Sequence, residues 1–372
     1  MKLAPKTEKA LLRLQGLIIE SSKDLDTIPD READFLHRQA LISTVGASTR
    51  IENAILTDQE IEWVDSTIGE DGKITAFLAN KELILDKLSK DRERSLEEVL
   101  GCKALIQIIY EQHNEMRPLT ETQIRALHHE LLRYYPKASS YAGNYKAVPN
   151  KVISRNQETG EEIAVLDPAS PGVITETAMA ALTEWYNSVS QVATWPLVFG
   201  VEFVFRFLAI HPFQDGNGRL GRALLLLALL QNGDKYIRKV LPCISIDRSI
   251  EKNKVRYYSV LHQASGGQFY SDPEKYNLQP LLSYYMKMLE SALQDIEVNR
   301  TKFADLEKLS STAMEVLQCF KASPERKLQV SDIEKQLQIP RRTCQYALKT
   351  LSEKEFLQRL GRGAGSRYQL IF

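Results

Sequence analysis

The stretch His211-Pro-Phe-Gln-Asp-Gly-Asn-Gly-Arg-Leu-Gly-Arg222 separates two apolar runs, VEFVFRFLAI ending at Ile210 and ALLLLALL beginning at Ala223. Both runs read as helices, so the polar segment is the turn between them. Gly216 and Gly218 let the backbone aim several N–H groups at one point, and the helix that follows adds the positive end of its dipole. The result is an anion cradle. Arg219 and Arg222, three residues apart, project from the first helical turn toward one side, and guanidinium forks suit the oxygens of outer phosphates. Asp215 offers a hard oxygen ligand for a Mg²⁺ ion that keeps most of its waters. His211, with an ordinary pKa of about 6.5, is able to take a proton from an incoming hydroxyl. A base, a metal ligand and an anion cradle together imply phosphoryl or nucleotidyl transfer by in-line attack. Gly216 to Gly221 also fits GxGxxG, the dinucleotide fingerprint. Five residues separate it from the apolar run before it, and no βαβ alternation surrounds it, which argues against that reading.

Outward from the motif the chain is mainly α. Apolar residues keep helical spacing at Phe35, Leu36, Ala40 and Leu41, and again from Leu96 to Ile109. Thr120 or Thr122 caps a helix running to about Arg133, Pro196 opens the helix into the motif, and Gly233 closes the one after it. Tyr141 to Leu166 is the exception, since β-branched stretches flank an Asn-Gln-Glu-Thr-Gly turn and predict a β-hairpin. Charged stretches at Ser89–Glu98 and Asp295–Leu306 read as linkers. They divide the chain into an N-terminal helical region (1–92), a central core (93–295) and a last domain (307–372).

Composition sets the limits. With 372 residues, 43% of them hydrophobic, the chain is long enough for two or three domains with real cores. Lys+Arg and Asp+Glu both number 48, so no bulk charge favours nucleic acid or membrane. Cys102, Cys243, Cys319 and Cys344 form no zinc spacing and fit a reducing cytoplasm. No secretory leader is legible, and the longest apolar run is too short for a membrane span.

The last domain breaks this neutrality. From Arg326 onward ten Lys/Arg face four Asp/Glu. Helices over Thr312–Lys321, Ser331–Leu337 and Arg341–Glu355, then a hairpin turning at Gly361–Gly365, give the order of a winged helix. Arg341, Arg342, Arg362 and Arg367 are placed to meet phosphates, which makes DNA a candidate partner.

HPFQDGNGRLGR resembles the Fic family motif, HPFx(D/E)GNGRxxR, at every specified position, and the resemblance extends over roughly residues 35 to 290. It implies a helical Fic-type core with a β-hairpin flap. It also implies a protein adenylyltransferase that uses ATP with Mg²⁺ and moves AMP to a Ser, Thr or Tyr hydroxyl of a target protein. His211 is then the base and Asp215 the Mg²⁺ ligand. Gly216, Asn217 and Gly218 line the phosphate cradle, with Arg219 and Arg222 on the outer phosphates. Tyr141–Ser154 corresponds to the flap that holds the target segment, although Asn150-Lys-Val-Ile-Ser154 lacks the glycine usual there. Ile153 or Val152 covers the adenine, with Tyr257, Tyr258 and Leu261 on its border. Ser48-Thr-Arg-Ile-Glu52-Asn53 matches the (S/T)xxxE(G/N) inhibitory motif, so Glu52 is expected to pair with Arg222 and take the place of the γ-phosphate. The same glutamate also fits a capping box with Thr49. His128 and His129 read as packing on an apolar helix. Two alternatives stay open: a DNA-binding regulator whose core senses nucleotide, and a Fic enzyme that uses another nucleotide or removes AMP. A homodimer is also left open.

Overall fold

Helices form where apolar period and end chemistry agree. The computed structural model describes residues 3–68, 93–155, 162–190, 192–322, 326–361 and 363–370. α1 (Pro5–Asp24) starts on a proline that needs no first-turn bond, and α2 (Asp30–Ile51) starts with two acidic residues at its positive end. α3 (Asp58–Ile68), α4 (Glu93–Gln112) and α5 (Glu121–Leu132) follow. α5 opens with a complete capping box between Thr120 and Gln123, the expected cap. β1 (Val152–Arg155) and β2 (Glu162–Leu166) pair antiparallel. Next come α6 (Val173–Ser190), α7 (Pro196–Ile210), α8 (Asn217–Asn232), α9 (Lys235–Val240), α10 (Ile246–Lys252), α11 (Lys254–Ser265) and α12 (Gln279–Glu307). The chain ends with α13 (Ser311–Lys321), β3 (Leu328–Gln329), α14 (Val330–Leu337), α15 (Arg341–Glu353), β4 (Leu357–Leu360) and β5 (Arg367–Leu370).

The described residues form two compact units, one within Met1–Ala54 and Arg94–Ile296, the other within Ile55–Glu93 and Glu297–Phe372. In the first, α7 and α8 pack on each other and are buried along nearly their whole length, with Phe203, Phe207, Leu220 and Leu224 fully enclosed. Two helices apolar on every side lie at the centre of a domain. Gly200 and Gly221 make that packing close, since a Cβ on either would press on Leu225 or Leu208. The second unit has its own core, built on Phe320, Ile333, Leu348, Leu351 and Leu357.

Several expectations are revised. The hairpin is confined to β1 and β2, while residues 141–151 run irregularly and meet the motif through the Tyr145–Phe213 bridge, the Lys146 N–H on Pro212 O and the Asn150 amide on Phe213 O. The Asn-Gln-Glu-Thr-Gly turn, residues 89–92 and Arg362 lie outside the described residues. Glu93–Glu98 is the first turn of α4, and Asp295–Leu306 lies inside α12. Tyr257, Tyr258 and Leu261 lie on α11, which Asn253 parts from α10. The capping box at Thr49 does not form, because Glu52 follows the last residue of α2. The last domain adds a strand that sequence reading missed: β3 joins the hairpin, giving the order β3-β5-β4. Among the described residues no helix is long and apolar enough to cross a membrane.

Candidate active site

The turn between α7 and α8 is shaped by residues that cannot continue a helix. His211 closes α7 in the left-handed region, φ 50° and ψ 58°, with its N–H on Phe207 O at 2.9 Å. That backbone costs a non-glycine residue about 1–3 kcal/mol, and the surroundings must hold it there. Pro212 prevents the helix from resuming, and its carbonyl accepts the Lys146 N–H at 2.8 Å. Gly216, also left-handed at φ 79°, is the N-cap of α8, and a Cβ there would crowd Leu131. The first-turn amides of α8 have no partner inside the helix and point out of its N-terminus.

Asn217 holds this turn closed. Its side chain is buried, accepts the Phe213 N–H at 3.0 Å and donates to Phe213 O at 2.7 Å. Both ends of its amide are thus committed to the loop, which leaves its backbone N–H for a ligand. His128, read from sequence as packing, has further work. Its ring stacks on Phe213 at 3.8 Å, its Nδ1 accepts the Gly143 N–H at 2.8 Å, and its Nε2 donates to Asp215 O at 2.9 Å. Burial pushes this imidazole down to about 4, so it stays neutral and the tautomer is fixed by its two partners.

His211 Nδ1 lies 3.3 Å from Leu208 O, an acceptor only, so Nδ1 carries the proton and Nε2 is a bare acceptor. Burial first, and then the Lys146 ammonium, push its pKa down to about 4. Lys146 is itself buried, donates to Asn150 Oδ1 at 2.9 Å and Ile210 O at 3.2 Å, and is pushed down to about 8 by burial. No sequence motif marks Lys146.

Asp215 and the arginines form a graded set of charges. Asp215 Oδ1 accepts the Gly216 N–H at 2.6 Å and Arg219 Nη2 at 3.3 Å, while Oδ2 stands 3.9 Å from Arg94. One oxygen is committed and the other stays accessible, on a side chain 37% exposed. Arg219 is buried against Asp215 and Glu98 and does not line the cavity. Arg222 does. Its Nη2 lies 3.0 Å from Glu52 Oε1 and 2.7 Å from Ser48 O, its Nε lies 3.0 Å from Ser48 Oγ, and its Nε is 3.6 Å from Asp247 Oδ2. Burial opposes its charge, but Glu52 and Asp247 outweigh that and hold its pKa above the usual arginine value. Arg222 Nη1 is buried and unbonded, beside Gly218. A Cβ on Gly218 would collide with the Glu52 carboxylate.

One cavity of about 200 Å³ collects most of the expected residues: Glu52, Ile153, His211, Asp215, Gly216, Asn217, Gly218, Arg222, Tyr257, Tyr258 and Leu261. Tyr257 and Tyr258, consecutive on α11, both line it. Ser48 lies behind Arg222, buried and outside the lining.

The Fic/DOC family model matches residues 118–229, from the entry to α5 through most of α8. Residues 118–229 are a Fic domain. Among curated proteins, the chain is 24% identical over 277 residues to protein adenylyltransferase fic-1 of Caenorhabditis briggsae, covering 73% of this chain and 46% of that protein. It is 20% identical over 271 residues to protein adenylyltransferase Fic of Drosophila ananassae, covering 72% and 49%. The chain thus spans about half the length of these relatives. The fold is similar to that of a Fic family protein from Desulfovibrio desulfuricans, with a TM-score of 0.56 at 21% identity over 100% of this chain and 97% of that one. A Fic domain containing signaling protein from Bacteroides thetaiotaomicron gives a TM-score of 0.55 at 23% identity over 78% and 96%.

Proposed function

We propose that this chain transfers AMP from ATP to a hydroxyl of a target protein and releases pyrophosphate. The observation that carries the reading is that one cavity holds a histidine with a bare Nε2, the glycine turn at a helix N-terminus and a buried guanidinium with an unbonded Nη1. Relatives that match over most of this chain are named adenylyltransferases. His211 Nε2 takes the proton as the target oxygen attacks the α-phosphorus, the bond from that phosphorus to the β-phosphate bridge breaks, and pyrophosphate leaves. The amides at Gly216 to Gly218 offset charge on the α- and β-phosphates, and Arg222 receives the γ-phosphate. Arg219 acts one step removed, by orienting Asp215. Asp215 Oδ2 is an accessible hard oxygen and fits a single-carboxylate Mg²⁺ site in which phosphate and water complete the shell. The ion, when bound, neutralises charge on the phosphates. Tyr257, Tyr258, Leu261 and Ile153 supply an apolar wall for the base, and β1, paired only with β2 among the described residues, offers an edge for strand addition by the target.

Glu52 on Arg222 takes the place that the outer phosphate needs, so the arrangement is inhibited. With labelled ATP, Glu52→Gly should raise auto-modification at least about tenfold, as expected when a competitor for a buried charge is removed. His211→Ala in that background should abolish it. A Glu52→Gly protein no more active than wild type would overturn the inhibitory role. The same variant offered UTP, GTP and CDP-choline tests the choice of nucleotide.

A second reading concerns the other unit. α15 presents Arg342, Gln345, Tyr346 and Lys349 on one exposed face, with Tyr346 73% exposed, and Arg367 is exposed on the wing. With the basic excess after Arg326, this face fits the phosphates and groove of duplex DNA. Fluorescence anisotropy with a random duplex should show binding that weakens steeply with salt and is reduced by Arg342→Ala. Salt-independent binding or none removes it.

A further inference from the structure

Arg222 has two carboxylates, and they differ in kind. Glu52 follows the end of α2 and its side chain is 31% exposed, so it is able to leave into water. Asp247 sits in the first turn of α10, where the Ser245 cap and the positive helix end hold an acid in place, and only 10% of its side chain is exposed. It approaches Nε, while Glu52 approaches Nη2. Ser48 joins the two sides: its Oγ accepts from the same Nε at 3.0 Å, and its hydroxyl favours the charged form of Asp247. Burial pushes the Asp247 carboxyl above its usual value, Glu52 and Glu251 add to that, and Arg222 is the main influence against it. Each of the two enclosed charges therefore offsets part of the burial cost of the other across 3.6 Å.

The charge balance changes as inhibition is released. With Glu52 in place one cation faces two carboxylates. When Glu52 withdraws, Arg222 and Asp247 remain a neutral pair, with the unbonded Nη1 beside Gly218 and Nη2 still on Ser48 O. Were Asp247 absent, the same withdrawal would leave a guanidinium with 1% of its side chain exposed, hydrogen-bonded to Ser48 but with neither carboxylate, which is strongly unfavourable. We propose that Asp247 is a positioning residue that keeps Arg222 buried, paired and aimed at the phosphate cradle while Glu52 exchanges with the outer phosphate. It lowers the barrier to activation. The inference rests on the reading of Glu52 as inhibitory, and it is separable from it.

The test is a cycle of four proteins: wild type, Glu52→Gly, Asp247→Asn, and the two combined. Asparagine keeps the shape and removes the charge. Two quantities are read: the melting temperature, and AMP incorporation from labelled ATP with KM for ATP and kcat. In the melting series the double variant should lose more than the sum of the singles, because it alone strands the cation. In the activity series the factor by which Glu52→Gly activates should be at least about tenfold larger on the Asp247→Asn background, since Glu52 is then the last counter-ion. A merely structural role lowers all rates alike and leaves that factor unchanged, and this outcome overturns the proposal even if melting is coupled. Additive melting losses overturn it as well. If Glu52→Gly does not activate at all, the inhibitory reading has failed, and the melting cycle still decides whether Asp247 shares Arg222. Ser48→Ala replaces Asp247→Asn if the latter does not fold; it should change the activation factor in the same direction by less, and no change overturns the proposal.

Discussion

With His211 as the proposed base, burial and Lys146 set the acid limit expected of AMP transfer. A base must be neutral to accept a proton, and the free His211 imidazole is held down to about 4 by burial and then by the Lys146 ammonium. The acid limb of kcat/KM, which reports the free enzyme, should therefore lie well below the ordinary histidine value of about 6.5. Lys146→Met removes a positive charge that opposes imidazolium formation, so the pKa rises and the limb moves to higher pH. Measured on the Glu52→Gly background, a limb that stays still or moves down would show that Lys146 does not act on His211. Asn217 gives a second residue-scale prediction. Asn217→Ala loses two hydrogen bonds to Phe213, each worth about 0.5–1.5 kcal/mol, so melting should fall and AMP transfer with it as the turn loosens. Melting unchanged by that substitution would refute the role given to its side chain. Much of this site was legible as a string, since His211 to Arg222 is contiguous and its chemistry is in its residue types. Lys146, Asp247 and His128 were not, because each acts across a fold contact and none has a spacing that marks it.

At the scale of elements, the end of α2 is a latch. Arg50 Nε and Nη2 meet Glu251 on α10 at 2.6 and 3.1 Å, and Asn53 Oδ1 accepts from Lys254 Nζ at 2.9 Å, so the segment carrying Glu52 is fastened on both sides. Burial pushes the Glu251 carboxyl up, but Arg50 and Arg248 outweigh it and hold it below its usual 4.5. A depressed carboxylate contributes stability that is complete above the unfolded value and is lost as pH falls through the folded one. The latch is therefore intact at neutrality and weakens only in acid below 4.5. Arg50→Ala should raise basal AMP transfer severalfold while leaving it below that of Glu52→Gly, because the Glu52 contact to Arg222 survives. A rate equal to wild type would mean that the end of α2 is fixed by something else. Helix ends were the part of the fold that sequence read best, as at Thr120 and Pro196, where a local cap decides. Asp295–Leu306 reads from sequence as the join to the last domain, and the division between the units falls at Ile296; what charge does not reveal is that the join is helical, because charged residues on an exposed helical face have the composition of a solvated linker. The β3 strand escaped notice because two residues show no alternation.

For the whole molecule, the described residues fall into two compact units, and the charges of the candidate site all belong to one of them. His211, Arg222, Glu52 and Asp247 lie in the unit of α7 and α8, while Phe320 is fully buried in the other with Leu348, Leu351 and Leu357. Truncating such a phenylalanine costs about 3–5 kcal/mol, the lost burial plus the cavity left behind. If each unit opens on its own, Phe320→Ala should speed amide exchange in α13 to β5 by at least about a hundredfold, which is what ~3 kcal/mol implies, and leave the amides of α7 and α8 unchanged. The Glu52→Gly, Phe320→Ala double variant, assayed below its melting range, should then keep the KM for ATP of Glu52→Gly. Exchange that quickened equally in α7 and α8 would mean that the units unfold as one. In that case the second unit would contribute to holding the Arg222 cluster together, and its substitutions would appear in the kinetics of AMP transfer.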